Sequence, residues 1–171
     1  MSNREPTNLR VLHPSREKRI CGDFFAYEMP DGVRRFGRLI ARAVGLAFEP
    51  HPVQHLVYFF AGDQSGVFDV LRLRRDRLLI PPLVVNQKPW TLGFFKRVAR
   101  IPLAQDDILP VHCFYSAWRN KYFDETGREL PRRIEPCGEF GLHSYLTVDD
   151  ALSAALEFPC VSRDTSERVD A

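Results

Sequence analysis

The sequence predicts a mostly β domain of the α+β class with one helix near its C-terminus. Short stretches rich in aromatic and β-branched residues recur along the chain, as is typical of strands. The chain contains thirteen prolines and thirteen phenylalanines, which favours loops and strands over a helical bundle. Only one stretch, near residues 148–157, combines helical periodicity with recognisable start and stop signals.

The first two strands form the clearest element of the sequence. Residues 23–29 and 34–44 are apolar and aromatic, and Pro30-Asp31-Gly32 separates them. Proline presets the backbone for the first corner of a turn, and glycine accepts the positive φ that follows. These residues therefore predict an antiparallel hairpin.

Further strands are predicted along the rest of the chain. Pro81 and Pro82 should end regular pairing because proline cannot donate to a strand ladder. Strands this short suit a strongly bent antiparallel sheet or an SH3-like partial barrel. The predicted strands span residues 53–61, 67–73, 76–80, 91–100, 112–115 and 140–145, with a hairpin over 121–130.

The helix is predicted from its ends and its apolar face. Thr147 is a suitable N-cap, and Asp149 and Asp150 would follow in the first turn, where carboxylates favour the exposed amides. Apolar residues then recur at spacings of three and four. Pro159 should end the helix.

The 171 residues predict a single domain over residues 20–158, flanked by two polar segments. Residues 1–19 indicate a flexible basic arm, and residues 159–171 a polar, acidic tail. The chain has neither an apolar run of about 20 residues nor an apolar signal core near its start, so we expect a cytoplasmic protein without membrane contact.

The sequence offers no convincing catalytic or metal-binding group. Its four cysteines form no Cys-x-x-Cys pair, so they are expected to be free thiols. His112 precedes Cys113, but neighbours in a strand point to opposite faces. His51 and His55 would share a face only on a helix, which Pro52 disfavours. We therefore predict no catalytic residues, no metal and no cofactor.

A basic run at residues 72–77 has two interpretations. It is interrupted by Leu73 and Asp76, which is typical of a solvated strand edge that discourages unwanted pairing. Contact with nucleic acid is the alternative. The first is favoured, so nucleic acid is not the expected partner.

Several blocks of turn and strand residues follow one another between Gly22 and Leu156. The blocks are Gly22-Asp23-Phe24-Phe25-Ala26, Pro30-Asp31-Gly32, Phe36-Gly37-Arg38-Leu39-Ile40-Ala41, Pro82-Leu83-Val84-Val85-Asn86, Trp90-Thr91-Leu92-Gly93-Phe94-Phe95, Cys113-Phe114-Tyr115, Tyr122-Phe123-Asp124-Glu125-Thr126-Gly127, Glu135-Pro136-Cys137-Gly138 and Ser144-Tyr145. Taken in this order, they resemble the immunity protein 26 family of bacterial polymorphic toxin systems.

The resemblance implies a protein without enzymatic activity that binds and neutralises a cognate toxin domain encoded by a neighbouring gene. The family supplies no catalytic residues, and its shared residues are expected to be structural. In this chain they include Gly22, Asp23, Gly32, Gly37, Trp90, Gly93 and Gly127.

The toxin-binding surface is predicted between residues 116 and 135, where loop character coincides with Trp and Arg, the commonest interface hot spots. The alternative function is an SH3-like barrel module that binds nucleic acid or peptide through residues 72–77, and an enzyme ranks third. The predicted toxin-binding residues are Trp118, Arg119, Lys121, Glu125, Arg128, Arg132 and Arg133.

Overall fold

A computed structural model describes residues 5–42 and 54–163. Their strands form two mixed sheets, and the main helix lies near the C-terminus. The elements are β1 (Asp23–Glu28), β2 (Arg34–Arg42), β3 (His55–Phe60), β4 (Leu78–Val85), α1 (Lys88–Thr91), β5 (Lys96–Arg100), β6 (Cys113–Ser116), β7 (Lys121–Phe123), β8 (Glu129–Leu130), β9 (Cys137–Glu139), β10 (Leu142–His143) and α2 (Tyr145–Ala155).

The larger sheet has the strand order β10-β4-β3-β2-β1-β5 and is antiparallel except for the pair β10–β4. The predicted hairpin is confirmed: β1 and β2 pair from Phe24 opposite Arg38 to Glu28 opposite Arg34. Gly32 has a φ of 71°, which is the left-handed conformation that the turn requires of it.

The smaller sheet has the order β8-β7-β6-β9, in which β6 and β9 run parallel. It packs on the larger sheet where Phe114 is fully buried and Gly138 lies against Pro82. The prediction of a mostly β fold with one main C-terminal helix is confirmed. Neither of the two sheets closes into a barrel.

Alternate residues of the central strands supply two hydrophobic cores on opposite faces of the larger sheet. On one face, Phe25 stacks on Phe95 at 4.4 Å between ring centroids, and α2 covers the cluster with Leu152. On the other face, Phe24 and Phe114 belong to the core shared with the smaller sheet.

Pro81 and Pro82 do not end β4, contrary to the prediction. Val57 pairs with Leu83 and Phe59 pairs with Ile80, so β4 contains one residue more than β3 between these two pairs. At this bulge some residues of β4 do not pair with β3, so the absent N–H of a proline there removes no hydrogen bond from the ladder. The strand therefore resumes after the two prolines.

One other predicted strand is replaced by turns, and a second is shortened. Residues 67–73 form turns because Asp69 accepts from the amide of Leu71 through its side chain and from the amide of Arg72 through its carbonyl. Such local hydrogen bonds compete with strand pairing. Residues 91–100 include the end of α1, so only Lys96–Arg100 is a strand. Residues 43–53, which include the ends of two predicted strands, lie outside the described residues.

The helix α2 begins earlier than predicted. Ser144, not Thr147, is its N-cap: the Ser144 hydroxyl accepts from the amide of Leu146 at 3.2 Å. Thr147 completes a capping box by accepting from the amide of Ser144 at 3.0 Å. Asp149 and Asp150 consequently lie beyond the first turn.

Residues 5–19 contain no regular element, yet they lie against the domain. Leu9 is buried, and its amide donates to Oδ1 of Asp149 at 2.7 Å. The amides of Leu12 and His13 both donate to the carbonyl of Gly93. Residues 1–4 and 164–171, the ends of the predicted arm and tail, lie outside the described residues.

Candidate functional site

Trp118 lies in the turn that joins β6 and β7 and is 73% exposed. Ser116 pairs with Lys121, so only four residues form the turn. Asn120 takes a φ of 52°, a conformation that Asn tolerates better than most residues. The hydroxyl of Tyr115 donates to its Oδ1 at 2.9 Å. Local geometry therefore presents Trp118 to solvent on a well-defined turn.

Arg119 connects this exposed ring to the interior. Its guanidinium lies 4.7 Å from the Trp118 ring centroid, 5.1 Å from that of Phe123 and 5.5 Å from that of Phe140. Cation–π contacts of this kind hold both partners in place. Because the side chains are already ordered, a partner that covers them loses less conformational entropy on binding.

Three more of the predicted residues are exposed cations on or after β7. Arg132 is exposed, and Arg133 is exposed and paired with Glu135. Lys121 is exposed and lies 2.8 Å from a carboxylate oxygen of Glu129. Exposed ion pairs like these contribute little to stability, so their charges can be redirected to a partner.

The pair Tyr115 and Tyr122 adds aromatic surface that the sequence reasoning missed. The two rings are 5.2 Å apart on facing positions of β6 and β7, and both are only partly buried. Their alternation with buried Phe114 and Phe123 was the available signal. Arg128 lies beyond the other end of β7, paired with Asp124 at 3.1 Å.

Glu125 differs from the other predicted binding residues because it belongs to an internal network. Its Oε2 lies 3.2 Å from Nδ1 of His112, and Nε2 of His112 lies 2.6 Å from the hydroxyl of Tyr58. The amide of Leu109 donates to that hydroxyl. Because a carboxylate can only accept, Nδ1–H of His112 donates to Glu125. The network ties the smaller sheet to the larger one.

This Tyr–His–carboxylate arrangement is closed to a substrate. Tyr58 has no exposed surface, and burial raises its pKa to about 12. His112 contacts Tyr58 and not Cys113 with its ring, as expected for adjacent residues of an extended segment. The arrangement accordingly has the geometry of a structural link.

Cys113 and Cys137 meet across the parallel strands β6 and β9. They are register partners, both are buried, and their sulfur atoms are 3.2 Å apart. Burial, together with the neighbouring Cys113, raises the pKa of Cys137 to about 12. A thiol with so high a pKa is a poor nucleophile at neutral pH.

A second surface feature, the cationic groove, lies between residues 13–19, Trp90 and the start of β5. It encloses a cavity of about 250 Å³. The guanidinium of Arg19 lies 5.3 Å from the Trp90 ring centroid, and its Nε has no hydrogen-bond partner. Lys96 also lines the groove. Sequence reasoning missed it because residues 13–19 were expected to be mobile.

Beneath the groove, His55 is fully buried and both of its ring nitrogens lack a hydrogen-bond partner. Its ring contacts Trp90 at 5.1 Å between centroids. Burial, followed by the charges of Arg19 and Arg42, lowers the pKa of His55 to about 4. The histidine is therefore neutral in the folded protein at neutral pH.

We expect His55 to make the protein acid-sensitive. The pKa of His55 is about 4 in the folded protein, against an ordinary value of 6.5 in the unfolded chain. Between these two pH values the unfolded chain binds a proton at His55 and the folded protein does not. The free energy of unfolding should fall by about 2 kcal/mol between pH 8 and pH 5 from this group alone. The His55→Phe variant lacks the titrating group. Its free energy of unfolding, measured by urea denaturation, should therefore fall by about 2 kcal/mol less over the same pH range. An equal loss in both proteins would contradict the assignment.

The basic run at residues 72–77 is largely paired within its own loop. Arg72 forms ion pairs with Asp63 and Asp69, and Arg74 with Asp76. Arg75 donates to backbone carbonyls of residues 105 and 108. These contacts reduce the charge that the run can offer to a phosphate backbone.

The residues implied to be structural by the resemblance make close contacts in the fold. A β-carbon at Gly22 would lie 2.2 Å from the carbonyl oxygen of Ile101, and one at Gly93 would lie 2.6 Å from the backbone nitrogen of Pro14. Asp23 is buried and pairs with Arg100 at 2.6 Å. Trp90 is buried, and Gly127 takes a φ of 85° in the β7–β8 turn.

Comparison with known proteins found no matching family model, no matching curated protein and no matching solved structure. Among residues 5–42 and 54–163, no three metal-ligating side chains are grouped so that they could hold an ion. Within the same residues, no helix has the length and apolar character needed to cross a membrane.

Proposed function

We propose that this chain is a bacterial immunity protein that binds a toxin domain and neutralises it. The contact surface, which we call the Trp118 surface, comprises Trp118, Arg119, Lys121, Arg128, Arg132 and Arg133. The observation that carries the proposal is the 73% exposure of Trp118 on an ordered turn, held by Arg119.

An exposed, preordered Trp that contacts an arginine suits a protein partner. Trp and Arg are the residues most enriched among interface hot spots, and burying a Trp removes a large apolar area from water. Arginines at the rim raise the association rate for an acidic partner. Arg132 and Arg133 are exposed beside the smaller sheet and could act in this way.

The resemblance of the ordered sequence blocks to the immunity protein 26 family supports a toxin as the partner. Neutralisation by binding requires a rigid platform and a complementary surface, but no reactive group. The arrangement of Tyr58 and His112, which is buried and closed, is compatible with that role. A toxin that acts inside the producing cell would place this protein in the bacterial cytoplasm.

The experiment is co-expression with the toxin domain encoded beside this gene. We expect the wild-type chain to restore growth of cells that produce the toxin domain. The triple variant Trp118→Ala/Arg132→Ala/Arg133→Ala should lose protection, since it removes the aromatic centre and two flanking cations. The matched control, Leu71→Ala/Arg72→Ala/Arg74→Ala, changes a similar exposed set on the loop before β4 and should protect as the wild type does.

Either of two outcomes would contradict the proposal. Full protection by the Trp118 triple variant, with both variants folded, would exclude this surface. Salt-dependent retention of the chain on DNA or RNA, lost in the Leu71 triple variant, would favour the nucleic-acid alternative.

A further inference from the structure

The cationic groove holds three cations without a carboxylate partner among residues 5–42 and 54–163. Glu17 and Asp23 line the groove, but Glu17 pairs with Arg97 at 2.7 Å and Asp23 with Arg100 at 2.6 Å. The three that form no such ion pair are Lys18, Arg19 and Lys96.

Arg19 is the most informative of the three because it is partly buried. One of its terminal nitrogens donates to the carbonyl of Ser15 at 3.2 Å, while Nε is buried without a partner. Burial, together with nearby Arg42, lowers the pKa of the Arg19 guanidinium. Desolvating a cation without an anion is unfavourable, and an anion that enters the groove would relieve that cost.

We propose that the cationic groove is a binding site for a carboxylate side chain, an Asp or Glu presented by a protein partner. This inference rests on the proposed function only in taking the partner to be a protein. It concerns a different surface from the Trp118 surface, and would give the partner a second point of contact.

The shape of the groove favours an acidic side chain over a nucleotide. Trp90 is only 5% exposed, and Phe25, Phe95 and His55 pack against it within 5.5 Å. Its ring is therefore unavailable for stacking on a base, which is how single-stranded nucleic acids are commonly held. A cavity of about 250 Å³ has room for a side chain of a few atoms.

The fluorescence of Trp90 can report the binding of an anion in the groove. The chain contains two tryptophans, so the Trp118→Phe variant leaves Trp90 as the sole emitter beside Arg19. Titration with a hexaglutamate peptide at low salt should change the Trp90 emission and saturate. A hexaglutamine peptide should cause no change.

Two variants with the same charge separate a specific site from general attraction. Lys18→Gln/Lys96→Gln removes two cations from the groove and should weaken hexaglutamate binding about tenfold. Arg34→Gln/Arg72→Gln removes two exposed cations elsewhere and should leave the affinity within about twofold. Both leave Arg19 in place, so neither depends on tolerating a change at a partly buried residue.

Three results would overturn the inference. They are the absence of saturation, an equal loss in both double variants, and tighter binding of an oligothymidylate of equal charge. If hexaglutamate does not bind but the chain still neutralises the toxin, only the proposed carboxylate site in the groove is rejected. Saturation without any toxin neutralisation would reject the proposed function alone.

Discussion

Replacing Asp149 with Ala should lower the free energy of unfolding by about 4 kcal/mol. The Asp149 side chain has no exposed surface and holds two groups from distant parts of the chain. Its Oδ1 accepts from the amide of Leu9 at 2.7 Å, and its Oδ2 pairs with Arg163 at 3.0 Å. Truncation leaves the Leu9 amide buried without a partner and removes one of the two carboxylates that hold Arg163.

Asp150 provides the matched control. It pairs with the same Arg163 at 2.8 Å, but its side chain is 42% exposed. Asp150→Ala should therefore cost less than about 1 kcal/mol. Urea unfolding measures both values, and amide exchange at Leu9 should accelerate only in the Asp149 variant. Equal effects of the two substitutions would show that Asp149 does not anchor residues 5–19.

Replacing Gly37 with Ala should lower the free energy of unfolding by about 3 kcal/mol. Gly37 lies in the centre of the larger sheet, opposite Phe25 on one side and Phe59 on the other. A β-carbon there would be 2.3 Å from Cζ of Phe25 and 2.6 Å from the carbonyl oxygen of Tyr58. The Phe25 ring cannot withdraw easily because it stacks on Phe95 at 4.4 Å.

Gly62 is the control for this substitution. A β-carbon at Gly62 would meet no atom within 4 Å. Gly62→Ala should leave stability unchanged or raise it by up to about 1 kcal/mol, because alanine restricts the unfolded chain more than glycine does. Thermal unfolding distinguishes the two variants. A Gly37→Ala protein as stable as the wild type would mean that the aromatic core is less tightly packed than the distances indicate.

Sequence reasoning succeeded where local chemistry decides the structure. The β1–β2 hairpin follows from a turn whose requirements Pro30 and Gly32 meet by themselves. The hairpin over residues 121–130 is likewise local, and β7 and β8 pair as expected. The polar neighbours of Trp118 indicated a loop, but they left open whether its ring caps the core or lies at an interface.

It missed contacts between residues that are far apart in the chain. Residues 5–19 looked mobile because their anchor, Asp149, is 140 residues away from Leu9. Glu125 looked like a surface charge because its link to Tyr58 through His112 joins different sheets. The bulge in β4 cannot be seen from its two prolines alone, since only the register with β3 reveals it.

The cationic groove escaped sequence analysis for the same reason. Lys18 and Arg19 belong to the segment that looked mobile, while Trp90 and Lys96 belong to α1 and β5. No spacing in the sequence relates these two groups. Only the docking of residues 5–19 on the larger sheet brings them together.

The decisive measurement for the proposed function is the equilibrium affinity of the purified chain for its proposed partner, a toxin domain encoded by a neighbouring gene. Calorimetric titration should show tight binding by the wild type and by the Leu71→Ala/Arg72→Ala/Arg74→Ala control. The Trp118→Ala/Arg132→Ala/Arg133→Ala variant should bind about a hundredfold or more weakly, as expected when a hot spot is removed. Equal affinities of all three folded proteins would contradict the claim that the Trp118 surface binds the toxin.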